Sequence, residues 1–404
     1  MHIQCTMGSP MVNTLDHLPM LPLFLHYHYS HHSAPTILEQ DELKIYQTLR
    51  LHGRIRHFEL SLSPSILQKA LTLMNENFPI LEHLSLSRGS FSDHLPLTLP
   101  KAFLAPNLRH LTLFDIGLPK RLRLLTSTVS LITLNLRNIQ ASSYFRPKLL
   151  VARLQSLPLL EELTITFSIP ITRPSTEREL LGEEGAPITL PNLKSLQFHG
   201  VGAYLESLVA QIRVPLLRQL SIRLFNQIAF ALPHLSYLIN NTKVFKLSRA
   251  RVNFYHNEVS ISTNNDGVLG RISFFFNVRC KPLDWQIDCA AQICHTLIPT
   301  LSDVEELRLV LGYREIPTEM RNGAIDGATW QDLLRTFIGV KQLRIDNALS
   351  EELSRALQVD EVGLDPGFLP NLQSIHAWDN RFASFIDTRQ VVGRPVQFKG
   401  HPWA

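Results

Sequence analysis

The sequence has few cysteines, no long apolar run and little net charge. Its four cysteines among 404 residues are too few and too unevenly spread for a disulfide framework, which indicates reduced thiols in an intracellular protein. No stretch approaches the ~20 apolar residues of a membrane span, and the amino terminus lacks the basic start of a signal peptide. A formal net charge of +4 is too small to favour nucleic-acid binding. We therefore expect a cytoplasmic or nuclear protein that binds neither membranes nor nucleic acid.

Signatures of catalysis and of cofactor binding are also missing. The sequence has no GxxxxGK[ST] phosphate loop, no GxGxxG after a strand, no HExxH and no GxSxG. Cys289 and Cys294 have no second pair at the spacing of a zinc motif, and buried thiols on a helix account for them better. We therefore expect a non-enzymatic protein without catalytic residues, a metal site or a cofactor.

What the sequence does contain is a recurring pattern of leucines. Most clear neighbouring copies begin 23 to 36 residues apart. The copies are IRHFELS from Ile55, LEHLSLS from Leu81, LRHLTLF from Leu108, LITLNLR from Leu131, LEELTIT from Leu160, LKSLQFH from Leu193, LRQLSIR from Leu217, VEELRLV from Val304, VKQLRID from Val340 and LQSIHAW from Leu372. This is the LxxLxL signature of leucine-rich repeats, and weaker copies near Val244 and Leu269 continue it.

The spacing within each copy predicts one side of a strand. Successive side chains of a strand point to opposite faces, so the fourth and sixth positions face inward together and the first turns in just before the strand. One repeat cannot bury these leucines alone, so neighbouring repeats stack into a parallel sheet. The stretches 63–80, 145–160 and 329–340 have helical periodicity, and prolines before the strands are expected to stop those helices.

We therefore predict an α/β leucine-rich-repeat solenoid, a horseshoe with a concave parallel sheet and convex helices. A helical bundle is disfavoured because the LSL, LTL and LNL cores have period 2 rather than 3.6. The predicted boundaries are 1–50 for an amino-terminal cap with an edge strand and a helix, 51–379 for the solenoid, and 380–404 for a tail. Within the solenoid we expect an exposed insertion at 168–190 and irregular, hairpin-like strands at 225–300, whose register the sequence leaves open.

The third, fifth and seventh positions of each copy should face the concave surface, where such solenoids usually bind partners. The residues found there are polar and mixed, without a nucleophile, base and acid together, which is typical of a surface that holds another protein. Aromatic and arginine side chains tend to dominate interface energetics. The predicted partner-binding residues are His57, His83, His110, Phe114, Arg137, Arg223, Arg308, Arg344 and Trp378.

Three of these residues occupy the same position of consecutive copies. His57, His83 and His110 should therefore form a ladder across neighbouring strands about 4.8 Å apart. One interpretation is a pH-sensitive or metal-capturing edge of the binding surface. The simpler interpretation, which we favour, is a row of solvated polar side chains.

A second histidine cluster lies near the amino terminus, in the stretch LFLHYHYSHHSAP. Its alternation places His26 and His28 on one face of a short edge strand, and His31 and His32 in the polar turn that follows. Zinc sites usually add cysteine or carboxylate ligands at fixed spacing. We therefore favour a capping strand with exposed imidazoles over a metal site.

Longer stretches carry a family likeness that covers about Ile3 to Phe398. They are APNLRHLTLFDIGLPKRLRLLTSTVSLITLNLRNIQASSYFRPKLLVARLQSLPLLEELTITFSIPI, VAQIRVPLLRQLSIRLF, KPLDWQIDCAAQICHTL, FIGVKQLRID and RQVVGRPVQF. In these stretches the chain resembles F-box and leucine-rich-repeat proteins of mushroom-forming fungi.

The resemblance implies the substrate receptor of a cullin-RING ubiquitin ligase. In that family an F-box docks on the ligase adaptor, and the repeats hold the protein to be ubiquitinated. Residues 1–50 do not show the F-box pattern, so an adaptor is an expected partner only if an F-box lies upstream. The alternatives are a stand-alone intracellular scaffold or sensor, and an enzyme that uses the histidines with a metal.

Overall fold

Two compact units, residues 1–216 and 217–404, divide the chain and are called unit 1 and unit 2. The structure is a computed structural model. It describes residues 21–28, 39–89, 96–119, 123–168, 186–225, 232–242, 248–264, 272–297, 301–312, 327–358 and 368–400.

Unit 1 contains a sheet of parallel strands that follow one another in chain order. A separate pair of very short strands is formed by β7 and β9. The strands are β1 (Leu23–His28), β2 (Ile55–Leu62), β3 (His83–Arg88), β4 (His110–Phe114), β5 (Thr133–Ile139), β6 (Glu162–Phe167), β7 (Ile188–Thr189), β8 (Ser195–Gly200) and β9 (Ile212–Arg213). The helices are α1 (Glu39–Arg50), α2 (Pro64–Leu73), α3 (Arg123–Ser127), α4 (Pro147–Leu154) and α5 (Gly202–Val209), with 3₁₀ turns at His52–Arg54 and Ala141–Ser143.

The repeat leucines form the core of unit 1. Leu81, Leu84 and Leu86 are fully buried, whereas Ser85 between them is half-exposed. The same positions are buried in the copies that follow, at Leu108, Leu111, Leu113, Leu131, Leu134, Leu136, Leu160, Leu163, Ile165, Leu193, Leu196 and Phe198. The period of 2 and the inward direction of the first, fourth and sixth positions are therefore confirmed.

Hydrogen bonds between successive repeats fix the register of unit 1. The carbonyl of Glu82 accepts from the backbone N–H groups of both Arg109 (2.8 Å) and His110 (3.0 Å), and the next repeats repeat this arrangement. The side chain of Asn107 donates to the carbonyl oxygen of Pro79 over 2.6 Å. Asn192 occupies the corresponding position in a later repeat and donates to the carbonyl of Pro158 over 2.9 Å. Each repeat is thus attached to the preceding one just before its strand begins.

Proline marks where helices begin rather than where they end. Pro64 and Pro147 each occupy the first turn of their helix, α2 and α4, where the missing N–H group costs no hydrogen bond. Both helices end before Pro79 and Pro158 are reached. The expectation that these prolines stop the helices is therefore wrong, and each proline lies in the turn between helix and strand.

Unit 2 contains a mixed sheet in the order β10-β13-β12-β11-β14-β15-β16-β17. Its strands are β10 (Gln219–Leu224), β11 (Arg249–Phe254), β12 (Glu258–Asn264), β13 (Ile272–Arg279), β14 (Glu306–Leu311), β15 (Gln342–Ile345), β16 (Ser374–Ala377) and β17 (Gln397–Gly400). Its helices are α6 (Pro233–Asn241), α7 (Leu283–Thr296), α8 (Gly327–Arg335), α9 (Asn347–Ala356) and α10 (Ala383–Val391).

The irregular middle of the sequence forms an antiparallel insertion in this sheet. Strand β12 pairs antiparallel with both β11 and β13, while β13 is parallel to β10 and β11 is parallel to β14. One buried row of apolar side chains crosses all five strands without interruption: Ile222, Phe276, Ile261, Val252 and Leu309. The expectation of hairpin strands is correct here, and the structure supplies the register that the sequence leaves open.

The two ends of the chain also contribute strands. In the described part of residues 1–50, β1 pairs parallel with β2 and is followed by α1, as expected for an edge strand and a helix. Residues 380–404, for which we expected a tail, contain α10 and the strand β17, which pairs parallel with β16. Most of the predicted insertion 168–190 lies outside the described residues.

Two further expectations concern buried cysteines and membranes. Cys289 and Cys294 are fully buried on α7 as free thiols, as the sequence predicts. No described helix combines the length and the apolar character that crossing a bilayer requires. With alternating strands and helices and the repeat leucines in the core, both units have the α/β leucine-rich-repeat fold.

Replacing one repeat leucine should destabilise unit 1 far more than replacing its neighbour on the strand. We expect Leu84→Ala to lower the free energy of unfolding by about 2–5 kcal/mol, because it leaves a cavity between β2 and β4. Ser85→Ala, one position along the same strand, should cost less than about 1 kcal/mol. Urea unfolding followed by circular dichroism measures both, and equal effects would contradict the assignment of the two faces.

Candidate binding surface

The strands of each unit present one face that does not contribute to the leucine core. In β3 this face carries His83, Ser85 and Ser87, all half-exposed, which are the third, fifth and seventh positions of their copy. We call it the open sheet face of that unit. Eight of the nine predicted partner-binding residues lie in strands on an open sheet face, and Trp378 follows the last residue of β16.

In unit 1 the structure brings an aromatic and an arginine side chain together. Phe114 on β4 is directly opposite Arg137 on β5, with Ser87 of β3 on the other side. Phe114 is half-buried and Arg137 is exposed. An aromatic ring beside an arginine provides both apolar area and a flexible cation for contact with a partner.

The predicted histidine ladder is present in unit 1. His57, His83 and His110 are directly opposite one another on β2, β3 and β4. The rings of His57 and His83 stack with their centroids 4.1 Å apart and an angle of 9° between planes. His83 and His110 are 5.7 Å apart and tilted by 39°, and His110 Nδ1 lies 3.2 Å from the hydroxyl of Thr133.

A fourth histidine extends the ladder at the edge of the sheet. His26 of β1 stacks on His57 with centroids 4.7 Å apart, and its Nδ1 lies 3.0 Å from Oε2 of Glu59. The imidazole of His26 is 35% exposed, in line with the expectation, and the parallel pairing of β1 with β2 places it opposite Glu59, a contact that the sequence did not predict. His31 and His32 lie outside the described residues.

The environment of His57 and His83 favours their neutral imidazoles. Burial lowers the pKa of His57, and the neighbouring His26 lowers it further, against the opposing effect of Glu59. Burial and the neighbouring His57 lower the pKa of His83 from 6.5 to about 4. His83 has an imidazole on each side, so protonation would place its charge next to two titratable rings.

In unit 2 the predicted residues Arg308 and Arg344 are neighbours on β14 and β15. On the other side of Arg308, at the same level of the sheet, lies Arg251 of β11. The sequence analysis missed Arg251, because it belongs to the irregular segment whose register was open. The alternation of Arg249 and Arg251 in RARVNF was the signal that could have found it.

This row of side chains continues to the end of unit 2. His376 of β16 is opposite Arg344, and Lys399 of β17 is opposite His376. Five adjacent parallel strands therefore carry a basic side chain at the same level, and we call Arg251, Arg308, Arg344, His376 and Lys399 the basic row. Lys399 was missed because it lies in the predicted tail.

The carboxylates beside the basic row are already engaged with other groups. Glu306 contacts Arg344 Nε over 2.7 Å and Arg249 Nε over 3.3 Å. Asp346 caps α9 by accepting a hydrogen bond from the backbone N–H of Ala348. Burial lowers the pKa of Arg308, and the neighbouring Arg251 and Arg344 lower it further, against the opposing effects of Asp346 and Glu306. The net direction is downward, so burial and the like charges outweigh the two carboxylates.

Two predicted residues of unit 2 lie apart from the basic row. Arg223 of β10 is exposed and faces Asn277 of β13, with β13 and β12 between it and Arg251. Trp378 is 55% exposed and follows β16, two residues after His376. A large exposed indole beside a cationic row is a suitable anchor for a protein partner.

Comparison with solved structures gives distant likenesses to this chain. The chain is similar to the solved structure of a leucine-rich-repeat protein of Leptospira interrogans, with 14% sequence identity and a TM-score of 0.31. The match covers 94% of this chain and 90% of that chain. No protein-family model and no curated protein matches the chain. The fold assignment therefore rests on the strand order and on the buried repeat leucines described above.

The depressed pKa of His83 should make the stability of unit 1 depend on pH. Between pH 6.5 and about 4 the unfolded chain binds a proton at His83 that the folded chain does not, so the free energy of unfolding falls as the pH is lowered through this range. We expect His83→Gln to reduce the loss of stability between pH 7 and pH 5, measured by urea unfolding.

The exposed His234 of unit 2 provides the matched control. His234→Gln should leave the same pH dependence in place. If His83→Gln loses as much stability as the unchanged chain between these two pH values, the altered pKa of His83 would be contradicted.

Proposed function

We propose that this chain is a non-enzymatic, protein-binding leucine-rich-repeat scaffold whose open sheet face in unit 2 recognises an acidic segment of a protein partner. The observation that carries the proposal is the basic row. At about 4.8 Å per strand, its five side chains extend over about 19 Å of the sheet. That length corresponds to about six residues of an extended peptide.

Charge complementarity selects an acidic partner. Arg251 and Lys399 are exposed at the two ends of the basic row, Arg308 and Arg344 lie half-buried between them, and His376 is buried, so the two ends and the two central arginines are the members that a partner can reach. A glutamate or aspartate placed over Arg308 would offset the repulsion from Arg251 and Arg344. Because guanidinium groups bind carboxylates in a bidentate way, such contacts are stronger than neutral hydrogen bonds.

Other predicted residues provide contact surfaces of their own on each unit. Trp378 provides an exposed apolar anchor near the row, and Phe114 with Arg137 provides a second contact surface on unit 1. Interfaces of proteins typically combine such aromatic and arginine side chains. Nucleic acid would also be attracted by a basic row, but the formal net charge of the whole chain is only +4. We therefore favour a protein segment.

We further propose that the chain serves as the substrate-recognition part of an F-box-type cullin-RING ubiquitin ligase receptor in the cytoplasm or nucleus. The support is the resemblance of its repeats to F-box and leucine-rich-repeat proteins of mushroom-forming fungi. In this role the acidic segment would belong to the protein to be ubiquitinated, and an F-box upstream would bind the adaptor. The alternative is a stand-alone repeat scaffold or sensor that uses the same surface.

Neutralising the basic row should weaken binding of an acidic peptide. We expect the triple variant Arg251→Gln/Arg308→Gln/Arg344→Gln to bind a fluorescent deca-glutamate peptide about 10- to 100-fold less tightly than the unchanged chain, because each cation contributes about 0.5–1 kcal/mol. Fluorescence anisotropy at two salt concentrations measures the affinity, and the salt dependence should also decrease.

The control triple variant removes the same number of positive charges, but from the helical side of unit 2 rather than from the basic row. It is Lys281→Gln/Arg335→Gln/Arg355→Gln, at three exposed positions. Its affinity for the peptide should stay within about twofold of the unchanged chain, because surface charges this far away are screened. Equal loss in both variants would overturn the proposed surface, and tighter binding of single-stranded DNA of the same length would favour nucleic acid instead.

The ubiquitin role has a separate test. We expect the protein that carries this chain, when immunoprecipitated from its own cells, to co-purify with the F-box adaptor and the cullin. Recovery of neither component, with the acidic-peptide binding intact, would reject the ligase role and leave the stand-alone scaffold.

A further inference from the structure

Three side chains of types that can bind a metal ion, His26, His57 and Glu59, meet at the amino-terminal edge of the sheet in unit 1. Nδ1 of His26 is 3.0 Å from Oε2 of Glu59, and Nε2 of His57 is 3.7 Å from the same oxygen. One nitrogen from each imidazole and one carboxylate oxygen all lie within 4.8 Å of one another. All three side chains are partly accessible to solvent, with 23% to 35% of their surface exposed.

The strand pairing explains why these groups meet. His57 and Glu59 are two residues apart on β2, so both point to the open sheet face. The parallel register of β1 places His26 directly opposite Glu59. On the far side of His57, the ring of His83 stacks at 4.1 Å and fixes the orientation of the His57 imidazole.

One of the nitrogen atoms that could bind the metal is buried and forms no hydrogen bond. Nε2 of His57 is shielded from solvent and has no hydrogen-bond partner among the described residues, since the carboxylate of Glu59 at 3.7 Å is too distant for one. A buried nitrogen left unpaired is costly, and in a native protein it calls for an explanation such as an ion or a water molecule.

We propose that His26, His57 and Glu59 bind a divalent transition-metal ion, with zinc as the best fit. Two imidazole nitrogens and one carboxylate oxygen are typical zinc ligands, whereas magnesium and calcium prefer sites built from oxygen alone. Bonds of about 2.0–2.2 Å in tetrahedral geometry separate neighbouring ligand atoms by about 3.3–3.6 Å. The observed 3.0 Å and 3.7 Å lie on either side of this range.

The fourth ligand position would face solvent. The open sheet face leaves room there for a water molecule or for a donor atom of a bound partner. A metal ion lies in the plane of each imidazole that binds it, and the rings of His26 and His57 are now stacked within 20° of parallel. Binding therefore turns the ring of His26, which belongs to the edge strand β1, while His57 is held by His83.

The site would join β1 to β2 through a metal in addition to their backbone pairing. Since β1 is the end strand of the sheet among the described residues, this link lies at the edge of unit 1. Metal binding should accordingly stabilise the folded state of unit 1. The proposal does not depend on the basic row of unit 2 or on any role in ubiquitination.

The test is a titration of the full, metal-stripped chain with zinc by calorimetry, and with cobalt by visible absorption. Cobalt in a tetrahedral nitrogen and oxygen site gives a characteristic visible band. We expect His57→Gln and Glu59→Gln each to weaken zinc binding at this site about 100-fold or more, and to abolish the cobalt band. Zinc should also raise the melting temperature of the unchanged chain but not that of these two variants.

Two control variants separate this site from the other histidines. His110→Gln alters the same ladder without removing a proposed metal ligand, and His31→Gln/His32→Gln alters two other histidines of the amino-terminal cluster. Both should retain tight zinc binding and the cobalt band. Unchanged zinc affinity in His57→Gln, or loss of the site only in the His31→Gln/His32→Gln variant, would overturn the proposal. Circular dichroism of every variant checks that it folds.

Discussion

The structure depends on burial of apolar side chains across the boundary between repeats. Leu84 is fully buried because Phe58 on one side and Leu111 on the other occupy the same level of the sheet. A single repeat has only one such row of side chains and cannot exclude water from it. Each strand therefore acquires its stability from its two neighbours, and the hydrogen bonds of Asn107 and Asn192 secure the contact at the edge where the strands begin.

Burial between repeats determines the residue types on only one face of each strand, so the other face can carry polar and charged side chains. In unit 1 that face carries a stack of imidazoles with a carboxylate beside it, and in unit 2 it carries arginine, histidine or lysine on five adjacent strands. Parallel pairing in register brings together residues that lie far apart in the chain, such as His57 and His83 or Arg251 and Arg308. A repeat sequence can thus build a row of like side chains by repeating one residue type at one position.

The sequence was sufficient to predict the structure where the repeat is regular. The leucine pattern predicted the buried positions, the direction of the strands and the ladder of His57 and His83. It was insufficient where a contact depends on strand pairing that the leucine pattern does not specify. Arg251 joins the basic row through an antiparallel insertion, Lys399 through a strand in the predicted tail, and His26 meets Glu59 through an edge strand without the leucine signature. Local patterns do not specify which strand will lie beside these residues.

The reversed strand β12 has a consequence for how such a sheet can grow. Moving across unit 2 from β10 to β14, strand direction reverses at β12 and reverses again at β11, so β14 runs the same way as β10. An odd number of reversals would have placed the amino ends of β14 to β17 at the opposite edge, and their helical connections would have had to cross the sheet. A pair of reversals leaves the direction of every following strand unchanged, so the antiparallel insertion fits between repeats without rebuilding those that come after it.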